Sequence, residues 1–209
     1  MVELDLGKSA DNAGDFLILR AKAIDEYAQL EQAMAFLFAA LARTERDVAS
    51  LIFFRITNAS SRNRIIEDLI KRRFGDACNH FWFGIPKTHH KKGLMNLIQG
   101  LDGLRNEIVH WHIKTSINTD MGSRALSLTP PNFWSGSNAE PKSDSHLIEF
   151  IFKADFTSRA VNMFTAHHME ASATSFPIPI DDTWREIYQR PCTYPPENTH
   201  PLFRTREEP

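Results

Sequence analysis

Arg105, Asn106 and His110 fall within six consecutive residues, Arg105-Asn106-Glu107-Ile108-Val109-His110. Together these side-chain types suit cleavage of a phosphodiester in RNA. The ribose 2′-hydroxyl must lose a proton to attack its own phosphorus, and the leaving 5′-oxygen must gain one. An imidazole titrating near neutrality can do either task. Charge building on the phosphoryl oxygens calls for a fixed cation, and arginine offers a planar, permanently protonated fork. The Asn106 amide can position the phosphate or fix the histidine tautomer. No metal or other cofactor is needed for this route, and DNA, lacking the 2′-hydroxyl, is spared by it. The same spacing also arises without chemistry. His110 then reads as a surface histidine near a helix C-terminus, where the macrodipole favours its cationic form.

The element that must position these residues is a helix over about 88–112. Its apolar residues Leu94, Leu97, Leu101, Leu104, Ile108 and Trp111 recur at alternating three- and four-residue steps, which is a packed helical seam. At 100° per residue Asn106 and His110 lie about 40° apart, roughly opposite the seam, with Arg105 at the seam's edge. Gly93, Gly100 and Gly103 interrupt this helix, each at a cost of up to about 1 kcal/mol unless close packing requires them.

Around this helix the sequence predicts a mainly α protein. Helices are expected over 16–43, over Glu45–Arg55, from the capping stretch Asn58–Ser61 to Phe74 with Gly75 as C-cap, and over about 145–169. In the third of these, Ile65, Ile66, Leu69 and Ile70 are the inward positions. Residues 76–87 read as a loop, and Ile148–Phe152 also suits a strand. Short alternating stretches around Asn118–Gly122 predict a small β-hairpin inserted over 113–134, before the last helix. Residues 1–170 form one expected domain, and the proline-rich tail 171–209 is expected to wrap the surface or fray.

Arg105-Asn106-x-x-x-His110 resembles the R-x4–6-H motif of HEPN domains, in the form that carries asparagine after arginine. The approach Leu101-Asp102-Gly103-Leu104, the exit Ile108-Val109-His110-Trp111, the Leu30-Glu31-Gln32 helix and the Ile52–Arg64 segment are similar to bacterial HEPN-type proteins. The resemblance covers about residues 16–112. It implies an antiparallel bundle of four to five helices and a homodimer in which two motifs meet in one composite site. It further implies endoribonuclease activity on single-stranded RNA, in a toxin–antitoxin or antiviral defence setting with an antitoxin or regulatory partner. Carried over, Arg105 stabilises the phosphate, Asn106 positions the site and His110 transfers protons. Other HEPN members have lost activity and serve as RNA- or protein-binding scaffolds. One toxin branch has tyrosine two positions after the histidine, where this chain has His112.

Charge and composition narrow the partners. Net charge is −2, yet residues 55–114 hold 11 basic and 5 acidic side chains. That segment is where a polyanion is expected, with Lys71, Arg72, Arg73, Lys91, Lys92 and His112 as RNA-binding candidates. The competing reading is a solvated helix face. Residues two apart on a helix point about 160° from each other, so His110 and His112 share a metal only if the helix ends between them. Phe81-Trp82-Phe83 and Phe133-Trp134 either stack bases or close a core, and His167-His168 read as surface or packing residues. Two distant cysteines form neither a disulfide framework nor a thiolate metal site, which points to a reducing cytoplasm. No secretory h-region opens the sequence and no apolar run approaches membrane-spanning length. Walker, dinucleotide and Gly-x-Ser-x-Gly fingerprints are absent.

Overall fold

The computed structural model describes residues 13–85, 92–118, 123–131, 140–172 and 182–196. Within them the protein is mainly helical. The order is α1 (Ala13–Ala42), α2 (Arg46–Arg55), α3 (Ala59–Phe74), α4 (Asn79–Phe83), α5 (Leu94–His110), β1 (His112–Asn118), β2 (Ser123–Thr129), α6 (Asp144–Ser172) and α7 (Asp182–Tyr188). No helix among the described residues is long and apolar enough to cross a membrane. The chain gathers into two compact units, one of Met1–Gln29 with Leu101–Asp155, the other of Leu30–Gly100 with Phe156–Pro209. α1, α5 and α6 contribute residues to both.

Alternating apolar steps build α1. Phe16, Leu19, Ala23, Tyr27, Leu30, Met34, Leu37 and Leu41 are all buried, one face of a regular helix. In the first unit Leu101, Ile108 and Trp111 of the α5 region and Leu147, Phe150 and Ile151 of α6 are buried too, and the Tyr27 and Phe150 rings meet with centres 6.5 Å apart. β1 and β2 pair antiparallel from His112↔Thr129 to Asn118↔Ser123. Leu128 is fully buried beneath this hairpin. Its backbone exchanges two hydrogen bonds with Lys142, at 2.8 and 2.9 Å, which fixes the strand-like segment leading into α6.

The second unit is built on aromatic rings. Phe81, Trp82, Phe164 and Tyr188 are buried together, with Trp82 edge-on to Phe164 at 5.1 Å and Phe81 edge-on to Tyr188 at 5.5 Å. Such pairs add to the area they bury. Residues 76–87, expected as a loop, therefore contain the turn of helix α4, because Phe81 and Trp82 must both point inward. In the tail, α7 buries Ile187 and Tyr188, and Cys192 beyond it is buried as well. These two short helices are the ones periodicity could not find, since five to seven residues hold too few turns. Asn58 caps α3 through its side chain, accepting from the Ser61 amide at 3.2 Å. Gly75 ends the helix at φ 56°, with its amide on the Lys71 carbonyl.

Some of the expected inward positions lie outward. Ile65 of α3 is exposed, while Ile66 and Ile70 are buried. α2 buries Ala49 and Phe53, and leaves Val48, Leu51, Ile52 and Phe54 exposed at 42%, 66%, 48% and 49%. Both thiols are free, and burial pushes Cys78 and Cys192 up to about 12, which holds them as inert core groups.

Candidate functional site

α5 carries the motif and is anchored at each end. Before its first turn, Gly93 admits a close backbone approach: a Cβ there would lie 2.5 Å from Gly84 N and from the Trp82 carbonyl carbon. The Gly93 amide donates to Asn96 Oδ1 at 3.1 Å. At the other end, Arg20 of α1 donates from Nε to the Ile108 carbonyl at 2.8 Å. Its Nη2 donates to the carbonyls of Val109 at 2.8 Å and Trp111 at 3.2 Å. Ile108 and Val109 lie in the last turn of α5, whose carbonyls lack intrahelical donors, and the cation sits at the negative pole of the helix. α5 thus stops at His110 and not at His112, which becomes the first residue of β1.

The motif sits on this fixed end. Asn106 and His110 are exposed, and His110 has no hydrogen-bond or ion-pair partner among the described residues. Arg105 turns the other way. Its guanidinium carbon lies 5.4 Å from the centre of the Tyr27 ring, a cation–π distance. Tyr27 is itself tied by its hydroxyl, which donates to Asp102 Oδ1 at 2.6 Å. Arg105 Nη1 donates to Asn106 Oδ1 at 3.3 Å, while its Nε is buried and lacks a hydrogen-bond partner. No carboxylate pairs with Arg105 among the described residues. The result is a half-buried guanidinium with spare donors beside an exposed amide, an arrangement able to hold an anion.

Arg105 and His110 are five residues apart, so on one helix they diverge by about 140°. The structure joins Arg105 to Asn106 within one chain, but not to His110.

The basic candidates divide by role. Lys71, Arg72 and Arg73 form the last turn of α3, where cations complement the macrodipole. Lys71 is exposed and pairs with Glu67 at 2.5 Å. Arg73 donates from Nε and Nη2 to the Leu41 carbonyl at 2.9 and 2.6 Å, closing the end of α1 next to Arg43, which adopts φ 54°. Arg72, Lys92 and His112 are exposed. Lys91 and Phe133-Trp134 lie outside the described residues. Phe81 and Trp82 are core rings, unavailable to stack bases.

His167 and His168 are both buried. His167 shares a 2.8 Å hydrogen bond with the Tyr188 hydroxyl and stacks on Trp184. Burial pushes His168 down to about 4. The Ala40 backbone opposes that shift, and the charges of Arg73 and Arg43 add to it. Among the described residues no three His, Cys, Asp or Glu side chains converge as a metal set.

Sequence reasoning missed Arg20, Tyr27 and Lys142. Arg20 and Tyr27 are seven apart, hence on one face of α1. A cation one heptad from a tyrosine beside the apolar face of that helix was the available signal. Lys142 had none, since only the hairpin's bridge brings its ammonium 3.7 Å from Glu107 Oε2 and over the Trp111 ring. No protein-family model matches the chain, and no curated protein or solved structure matches it either, so the HEPN resemblance rests on the motif and its helical setting.

Proposed function

We propose that this protein is a metal-independent endoribonuclease of HEPN type, cutting single-stranded RNA at a composite site of a homodimer. The observation that carries the reading is Arg105: a guanidinium with no counter-ion among the described residues, its Nε buried and unbonded, next to the exposed amide of Asn106. The divergence of Arg105 and His110 around α5 supports two copies, since one chain alone does not aim both at one phosphorus.

In this mechanism a His110 imidazole accepts the proton of the 2′-hydroxyl as the 2′-oxygen bonds to phosphorus. The bond from phosphorus to the 5′-oxygen breaks, and the imidazolium contributed by the second copy protonates that oxygen. The products are a 2′,3′-cyclic phosphate and a 5′-hydroxyl. Arg105 stabilises the phosphoryl charge, Asn106 orients it, and Arg20 holds the helix end that presents His110.

A second reading, a non-catalytic module that binds RNA or a protein, is favoured by the exposed apolar side chains of α2. The two are separated by incubating a mixed-sequence single-stranded RNA in excess EDTA with wild type, His110→Ala and Arg105→Ala. Wild type leaves cyclic phosphate ends, and each variant is slower by roughly 10²–10⁴-fold. Equal cleavage by all three removes the assignment. RNA binding without cleavage transfers it to the second reading.

A further inference from the structure

α2 is apolar on both of its sides. Ala49 and Phe53 are buried, while Val48, Leu51, Ile52 and Phe54 are exposed, Leu51 most of all at 66%. At 100° per residue these four side chains span about 160°, on the half of the helix roughly opposite Ala49 and Phe53. A helix apolar all round belongs in an interior, and the fold covers only one half of this one. The covered half is firmly seated. The Arg62 guanidinium lies over the Phe53 ring, 5.2 Å from its centre, and Phe53 in turn meets the Phe54 ring edge-on at 5.5 Å. The other half is a fixed apolar surface left for another molecule to cover.

The charges on α2 indicate what covers it. Asp47 and Arg55 each lie four residues from Leu51, one on either side, about 6 Å along the helix axis. Both are exposed, and neither makes an ion pair among the described residues. Glu45, the N-cap residue, adds a second acid at the start of the helix. Arg46 beside them is drawn over the Phe36 ring, 5.1 Å from its centre. The exposed half therefore runs from negative to positive across an apolar middle. Such a surface is complementary to itself when turned end for end. With a two-fold axis at Leu51, Asp47 of one copy stands level with Arg55 of the other, and Val48 with Phe54. The antiparallel arrangement also sets each helix N-terminus beside the other's C-terminus, which the macrodipoles favour. A lipid surface fits less well, because acids and not cations open the helix. We propose that a second copy of this chain covers α2, the two α2 helices packing antiparallel about Leu51. The contact does not rest on the ribonuclease reading, since α2 carries none of the residues assigned to cleavage.

The test is self-association of the full chain, measured by sedimentation velocity. Wild type is expected to dimerise in the micromolar range, as a contact between two short helices lies at the small end of interface sizes. Leu51→Glu places a charge on the axis, at a position that faces water in the single chain, and is expected to weaken the dimer about 30-fold or more. Asp47→Arg and Arg55→Asp each set like charges level with one another, and each is expected to be monomeric alone. Mixed one to one, the two variants restore both opposite-charge pairs, and a heterodimer is expected within about tenfold of the wild-type affinity. A contact made by any other face gives no such rescue. Thermal melts establish that the variants are folded, and Leu51→Glu decides by itself if a charge variant is not.

A wild type that stays monomeric at about 100 µM, a dimer that Leu51→Glu leaves intact, or charge variants that associate no better mixed than alone overturns the proposal. A dimer indifferent to Leu51→Glu that cuts RNA through His110 removes the α2 contact and keeps the composite site. Leu51-dependent dimers of a chain that cuts no RNA uphold the contact and remove the ribonuclease.

Discussion

Arg73 and Arg105 are both half-buried guanidiniums on helices, one in each compact unit, and their surroundings differ in kind. Arg73 sets two donors on the Leu41 carbonyl and closes a helix end. Arg105 lies over the Tyr27 ring, keeps a buried Nε unbonded and meets no acid among the described residues. The first is engaged by backbone, so its removal is a loss to the fold. The second is held in place with donors to spare, so its removal is a loss to whatever anion it meets. Two arginines that both looked like polyanion contacts in the sequence thus separate into a structural cap and a candidate site.

The sharpest break of that comparison is a pair of alanine substitutions read two ways. Arg105→Ala is expected to slow RNA cleavage by roughly 10²–10⁴-fold while moving the urea midpoint little. Arg73→Ala is expected to do the opposite, lowering stability by about 2 kcal/mol as charge-assisted bonds to a helix-end carbonyl are lost. If Arg105→Ala unfolds the protein as readily as Arg73→Ala, the distinction fails.

A smaller effect comes from His168, which packs edge-on against Phe74 near Arg73. Its folded value is pushed from 6.5 down to about 4. Between those limits the unfolded chain takes up a proton that the folded one refuses. Stability is therefore full above about pH 6.5 and declines as pH falls toward 4. Urea midpoints measured across that window should show the decline in wild type and lose this part of it in His168→Gln. An identical slope in the two would show that other groups govern the acid limb.

The smallest effect separates the glycines of the motif region. An added Cβ at Gly100 or Gly103 meets nothing within 4 Å, whereas one at Gly93 strikes backbone at 2.5 Å. Gly100→Ala is expected to stabilise by about 0.5–1 kcal/mol, seen as a higher melting temperature, and Gly93→Ala to destabilise. Stabilisation at Gly93 would mean that the approach of α4 is not tight.

Much of the helical architecture was legible. The steps from Leu94 to Trp111 are long enough for a 3.6-residue period to declare itself, and Asn58 and Gly75 announce the ends of α3 by local chemistry alone. The short helix α2 was not legible in the same way. Both of its faces are apolar, and only packing chose Ala49 and Phe53 over Val48, Leu51 and Ile52 for burial.

By itself the sequence determined the elements whose information is local: helices with several turns, their caps, the hairpin, and the placement of Asn106 and His110 on one face of α5. Tertiary structure alone decided what crosses the chain. Arg20 closes a helix 88 residues away, Tyr27 carries Arg105, and Lys142 reaches Glu107 through a bridge made by Leu128. The reason is physical. Helix periodicity and capping depend on neighbours within about four residues, whereas a guanidinium or carboxylate takes its role from whichever partner folding brings within a few ångströms.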